Sequence, residues 1–466
     1  MISTLGLRIS AGFRRTAPDP FVLAVLLTLV TLVLVLVRTD LTFDGAVNAW
    51  AGTEGVWSAG LLKFGMQMCL ILVTGHALAS SPPVSTGLDW LAGRAKSPAM
   101  AVGLVAFVAV SLGMLNWGLG LIAGALMARR VGVATEKLGV RVHYPLLAAA
   151  GYTGMLVWHG GFSGSAPLKV TTDAQIADIF GGEAPFEALS IMDTVLSPMN
   201  LFVTGGLLVI VPALLMLMSP KREEDRLLAS GFGVGEEKTK PEPDEDKPLV
   251  PRALEDTPVV SLLLVGLIAW WAWGYYFPSA DSETGVAPAS GITRLTPDTV
   301  NMTVLMLGLV LHGTPRRYVR AVEEAAGGCA GIILQFPLYA GIMGLMSVSG
   351  LSAELSTALG AGSNETTLPL LTLVSAGVVN LFVPSGGGQW AVQGPIAMQA
   401  AVDAGVSPAK MVMAVAYGDE LTNMLQPFWA LPLLAITRAR ARDIVGYTAI
   451  VMVVAGGWMA LGLVVF

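Results

Sequence analysis

Apolar runs long enough to cross a bilayer follow one another along almost the whole chain, and most charge lies between them. A helical span needs about 20 such residues. Candidates lie at 21–38, 59–79, 145–168, 195–218, 259–277, 299–313, 328–348, 410–437 and 445–466. Two further runs, 99–127 and 368–401, are too long for one span, and each is interrupted at its centre. Asn116-Trp117-Gly118 interrupts the first, and Pro384-Ser385-Gly386-Gly387-Gly388-Gln389 the second. Hydrocarbon offers no water to open backbone, so each reads as a hairpin that enters and leaves on one side. The pattern predicts an all-α polytopic membrane protein of about nine spans plus two re-entrant hairpins.

Composition narrows the function classes. Only 13% of the 466 residues are charged, about half the share of a soluble domain. The 54 Gly and 27 Pro suit broken membrane helices. A net charge of −6 leaves no basic face for nucleic acid. Cys69 and Cys329 both lie in apolar segments, which predicts buried thiols. Arg8, Arg14 and Arg15 precede the run from Phe21 to Val37 as in a signal peptide, but no small-x-small site follows. A retained span is expected.

Basic residues set the orientation, because they collect in cytoplasmic loops. With the N-terminus inside, the loops 1–20, 80–98, 128–144, 219–258, 314–327 and 438–444 hold 3, 2, 4, 7, 3 and 3 Lys or Arg, 22 of the chain's 27. The C-terminus then lies outside, and the two hairpins open from opposite sides. The stretch from Lys221 to Asp256 carries charges of both signs and four prolines, and reads as a cytoplasmic linker. On either side of it the elements recur in one order: span, span, hairpin, broken span, span. The division is 1–218 as a first inverted repeat, 219–258 as the linker, 259–298 as a bridging span and outer loop, and 299–466 as the second repeat. Inverted repeats with broken helices at mid-membrane are a transporter architecture.

Acidic residues inside spans cost at least about 2.5 kcal/mol and need a reason. Asp419 and Glu420 are the two that qualify. They lie roughly 15 Å along a helix counted from Lys410, near mid-membrane. Gly418 and Pro427 bracket them, which predicts an unwound, water-lined stretch including Thr422 and Asn423. The matching break is Trp158-His159-Gly160-Gly161-Phe162-Ser163-Gly164-Ser165-Ala166-Pro167, too rich in Gly to stay helical. Its open carbonyls with Ser163 and Ser165 suit Na⁺ or a substrate hydrogen bond. His159 suits proton transfer. His159, Asp419, Glu420, Thr422 and Asn423 are therefore the expected coupling-ion residues, for H⁺ or Na⁺, with no other cofactor.

At the hairpin tips, backbone N–H groups at helix N-termini can receive an anion without Lys or Arg. Asn116, Trp117, Gly118, Ser385, Gly386, Gly387, Gly388, Gln389 and Gln393, with Ser163 and Ser165, are the expected substrate residues. Trp117, Trp158, Trp390 and Trp429 flank the four breaks and could wall a short alkyl chain.

The strings Phe64-Gly65-Met66-Gln67-Met68, Thr74-Gly75-His76-Ala77-Leu78-Ala79, Asn116-Trp117-Gly118, Gly161-Phe162-Ser163-Gly164-Ser165, Val383-Pro384-Ser385-Gly386-Gly387-Gly388-Gln389-Trp390 and Gln426-Pro427-Phe428-Trp429-Ala430-Leu431-Pro432 resemble the bacterial short-chain fatty acid transporter family of the wider ion transporter superfamily. The likeness covers nearly the whole chain and is weakest in the linker. It implies uptake of short monocarboxylates such as acetoacetate or butyrate across the bacterial inner membrane. It also implies an elevator-type homodimer with a scaffold and a mobile transport domain. The superfamily's Ser-Asn-Thr hairpin signature is replaced here by Asn-Trp-Gly and Ser-Gly-Gly-Gly. The alternative is an exchanger of other organic anions or a Na⁺/H⁺ antiporter of the same superfamily. An enzyme is not expected: a hydrolase built on His159 and Ser163 would need motifs such as HExxH or a G-x-S-x-G elbow, which the chain lacks.

Overall fold

The computed structural model describes residues 4, 7–9, 11–12, 19–171, 173, 176, 186–234, 248–279, 290–291, 297–351, 353–354 and 364–466. All regular structure among them is helical. In chain order the helices are α1 Pro20–Arg38, α2 Phe43–Ala51, α3 Ala59–Ser80, α4 Pro82–Ala92, α5 Pro98–Leu115, α6 Trp117–Lys137, α7 Tyr144–Tyr152, the single turn α8 Ser165–Leu168, and α9 Pro198–Met218. There follow α10 Leu249–Glu255, α11 Val259–Tyr276, α12 Pro297–His312, α13 Pro315–Ala326, α14 Ala330–Val348, α15 Thr367–Phe382, α16 Gly386–Asp403, α17 Pro408–Thr422, α18 Pro427–Thr437 and α19 Ala441–Val465.

Local chemistry explains many of the starts. Asp19-Pro20, Ser97-Pro98, Ser197-Pro198 and Thr314-Pro315 each place a capping side chain before a proline at the first helical position. The cap accepts an orphan N–H and the proline needs no partner for its own nitrogen. Among the described residues, seven helical stretches are long and apolar enough to cross a membrane: Pro20–Arg38, Pro98–Leu115, Trp117–Lys137, Pro198–Met218, Leu249–Tyr276 with a bend at 256–258, Pro315–Val348 and Ala441–Val465. The chain is a multi-pass membrane protein. The apolar stretches at 65–78, 298–312, 367–382 and 427–437 are shorter.

The two halves share one order: α1, α2, α3, the pair α5/α6, the broken α7/α8 and α9, against α12, α13, α14, the pair α15/α16, the broken α17/α18 and α19. Their first helices are exchanged. α1 packs on α14, and α12 packs on α3. Helix α11 rests mainly on α12 and presents Leu263, Leu267, Trp270 and Trp273 outward, as suits a lipid-facing helix.

The helical hairpin α5/α6 is longer than its apolar run of 99–127. α6 continues through Arg129 and Arg130 to Lys137, because residues of good helix propensity extend the backbone ladder whether or not they are apolar. The hairpin lies against α7 through glycines. A Cβ on Gly124 would sit 2.0 Å from the Gly151 carbonyl oxygen, and one on Gly113 would sit 2.3 Å from that of Gly154. Only residues without side chains let backbones approach this closely.

The stretch read as a linker is partly built into the fold. The Tyr144 N–H donates to the Leu227 carbonyl at 2.8 Å, and the Leu227 N–H donates to His143 Nδ1 at 3.1 Å. Ser230 is held by Glu136, and Arg438 donates to the Gly233 carbonyl. Ala229 and Val234 are buried, and Phe232 packs on the Tyr144 ring at 5.3 Å. Buried apolar residues among the charges explain the difference. The 235–247 stretch lies outside the described residues.

Candidate functional site

Two helix breaks and two hairpin tips meet in the interior. The first break unwinds after Leu156, and a 3-10 turn at Thr153–Leu156 leads into turns that end at Gly164. The second is shorter than expected and lies elsewhere. α17 stays helical through Gly418, Asp419 and Glu420 to Thr422, and only Asn423–Gln426 depart from it before Pro427 starts α18. Gly418 does not unwind the helix. A Cβ there would lie 2.3 Å from the Leu373 carbonyl oxygen, so the glycine serves the close packing of α17 on α15. Pro427 ends the helical path, since the residue before a proline is driven to extended backbone. Gln426 has φ −84° and ψ 110°.

The ionisable residues converge on His159. Its backbone N–H donates to Glu420 Oε2 at 2.7 Å, and the Gly160 N–H donates to the same oxygen at 3.1 Å. The ring accepts from the Ala166 N–H through Nε2 at 2.9 Å, so the neutral imidazole carries its hydrogen on Nδ1. That nitrogen lies 3.4 Å from Asp419 Oδ1. His159, Asp419 and Glu420 are each no more than 1% exposed. Both Asp419 oxygens and Glu420 Oε1 are buried without a hydrogen-bond partner. Unpaired buried carboxylate oxygens are costly and mark a place for a positive charge.

An amide network surrounds this centre. Asn380 Nδ2 donates to the Asp419 carbonyl, Thr422 Oγ1 and Asn423 Oδ1 at 2.8, 3.0 and 2.9 Å. Tyr152 donates its hydroxyl to the Asn423 and Gln426 carbonyls. Asn200 donates to the Gly160 carbonyl at 2.7 Å and accepts from Tyr417 and Thr204. Thr422 and Asn423 thus hold the second break in shape. Asn380, Asn200, Tyr417 and Tyr152 were not among the residues singled out from the sequence. The signal for Asn380 was there, an isolated amide inside the apolar run Val379–Leu381.

At the first tip, Asn116 caps α6. Its Oδ1 accepts from the Gly118 and Leu119 N–H groups, Ser163 Oγ accepts from Trp117 N–H, and the Gly120 N–H donates to the Asn116 carbonyl. The amides expected to receive an anion there are already engaged. Asn116 Nδ2 is buried and has no partner. The Phe162 N–H donates to the Met114 carbonyl at 2.8 Å, which docks this tip on the first break.

At the second tip, Ser385 Oγ accepts from the Gly388 N–H, and Gly386 faces the break, where a Cβ would lie 2.6 Å from Trp158 and 2.9 Å from His159. Gly387 has room, with Ser165 Oγ 3.8 Å from the same construction. Gln389 and Gln393 bind within the hairpin, to the Ala376 carbonyl, to one another and to Ser375. They join α16 to α15. Trp117, Trp158 and Trp429 form one cluster, with centroids 5.4 Å apart for Trp117–Trp429 and 6.1 Å for Trp158–Trp429. Trp390 is fully buried in a separate core with Ala166, Met398 and Met411, so it does not wall this place.

Comparison with known proteins agrees on one family. The family model for the short chain fatty acid transporter matches residues 1–466. A protein of Escherichia coli (strain K12) named "Putative short-chain fatty acid transporter" is 40% identical over 453 residues, 97% of each chain. One of the same name from Haemophilus influenzae (strain ATCC 51907 / DSM 11121 / KW20 / Rd) is 36% identical over 470 residues, 99% of each chain. Among solved structures, the Alcanivorax borkumensis YdaH transporter aligns at TM-score 0.44 and 18% identity over 96% of this chain and 97% of that one. Neisseria gonorrhoeae MtrF aligns at TM-score 0.44 and 16% identity over 98% and 96%. The full-length family match and both near full-length relatives show that this chain belongs to the short chain fatty acid transporter family.

Proposed function

We propose that this protein is a secondary active transporter of short-chain monocarboxylates such as acetoacetate or butyrate, in the bacterial inner membrane, coupled to Na⁺ or H⁺ by alternating access. The observation that supports it most is the buried meeting of His159, Asp419 and Glu420 at a helix break against both hairpin tips. Intramembrane carboxylates that lack structural partners are retained for ion movement. Re-entrant hairpins that open from opposite sides would let this centre face each side in turn. In this reading the N-terminus is cytoplasmic, the C-terminus lies outside, and the protein works as a homodimer with an elevator-type motion.

Uptake of labelled acetoacetate and butyrate into proteoliposomes, with and without imposed Na⁺ and pH gradients, tests it. Protein-dependent accumulation above protein-free liposomes is expected under one of the two gradients. Accumulation of other organic anions instead, or Na⁺/H⁺ exchange without carboxylate movement, would replace this reading by the exchanger or antiporter.

A further inference from the structure

Several of the buried polar atoms without a partner belong to the first break and the elements docked on it. The indole N–H of Trp158 in the break and the amide Nδ2 of Asn116 at the docked tip are buried with no acceptor. Trp117 and Trp429 stand beside them. Both Asp419 oxygens and Glu420 Oε1, on the carboxylates that meet His159, are unpaired as well. The Trp158 and His159 rings stack at 4.5 Å. No Lys or Arg is among the buried residues described, and the first-turn amides of α6 are taken. Tyr417, which donates to Asn200, and Tyr152, which donates to the Asn423 and Gln426 carbonyls, are further titratable side chains in this network.

We infer that the carboxylate substrate is held by uncharged donors, the Trp158 indole N–H and the Asn116 amide, with Trp117 and Trp429 walling its short chain. It binds tightly only when a cation has neutralised the carboxylates beside His159. This rests on the reading of the protein as a carboxylate carrier. Neutral donors can hold an anion firmly in a site without water. They cannot offset two unscreened negative charges one residue away, because repulsion through a low-dielectric interior is strong. The driving cation, a proton or Na⁺, removes that repulsion. By linkage, the anion must raise cation affinity by the same factor. Two ions of opposite sign thus load cooperatively.

The test is equilibrium binding of labelled butyrate to the purified full chain between about pH 6 and 8, where the free ligand stays ionised. Supplying the cation, either by Na⁺ at fixed pH or by lower pH without Na⁺, should tighten butyrate binding at least about tenfold, and the effective arm identifies the ion. The double variant D419N/E420Q keeps the oxygen that accepts from His159 and Gly160. It should bind butyrate tightly without either cation and ignore both. Trp158→Phe removes one N–H and keeps the ring, and Asn116→Ser keeps a capping oxygen and removes the amide donor. Each should weaken butyrate binding about tenfold or more while the cation response persists. Parent binding indifferent to both cations, or W158F and N116S binding like the parent, would overturn the inference and leave the carrier reading intact. Absence of butyrate binding by the parent in every arm would overturn that reading, and this inference with it.

Discussion

Glu420 and Asp419 are neighbours in the chain and meet opposite fates. Glu420 Oε2 accepts two backbone N–H groups from the first break, which couples α17 to the 159–160 turn. Asp419 has no such anchor and faces only His159 Nδ1. In the proposed coupling, Asp419 is therefore the carboxylate with more freedom to exchange a cation, and Glu420 the one that also positions the break. The two glycines of the second tip differ in the same way. Gly386→Ala should stop uptake, since its Cβ would press on Trp158 and His159. Gly387→Ala should keep most of it, because ordinary van der Waals contact awaits it there. Uptake rates normalised to the protein reconstituted, with both variants in one membrane preparation, check the pair. Equal loss in both would remove the tip contact as the cause.

At the scale of elements, close approach governs what the sequence shows and what it hides. The tip at Asn116 and the break at 158–167 were legible because clustered Gly and a polar residue inside an apolar run have few other uses. The fate of Gly418 was not. A lone glycine reads equally as a break or as a packing notch, and only the neighbouring Leu373 carbonyl decides. Asn116 and Ser385 were legible as polar tip residues, whereas their role as helix caps depends on which N–H lies within reach. The docked strap at 220–234 escaped notice because its few apolar residues are diluted by charge.

Gly418→Ala should cost about 1–3 kcal/mol through overpacking against backbone. Gly457→Ala, on α19 with open space around it, should be neutral or stabilising by about 0.5–1 kcal/mol. Thermal unfolding in detergent should show a lower midpoint for the first and an unchanged or higher one for the second. The strap predicts a further effect. Glu136→Ala removes the acceptor of Ser230 and should expose the 220–234 segment to protease sooner than in the parent.

Across the whole molecule, the exchange of first helices interleaves the halves, so that α1 is held by α14 and α12 by α3. Neither half has its complete helix packing alone. The site follows the same plan: the first half supplies the break at His159 and the tip at Asn116, and the second supplies Asp419, Glu420 and the tip at Gly386. Single cysteines placed in the 219–258 segment should label only from the cytoplasm, and one added after Phe466 only from outside, if the repeats have opposed orientation. In the proposed mechanism, buried carboxylates couple a cation gradient to carboxylate movement. The most direct measurement compares, in proteoliposomes, accumulation of labelled butyrate against its gradient with its exchange at equal concentrations, for the parent, D419N and E420Q. The parent should do both, and at least one variant should exchange butyrate but no longer accumulate it. Accumulation by both variants at the level of the parent would contradict this mechanism.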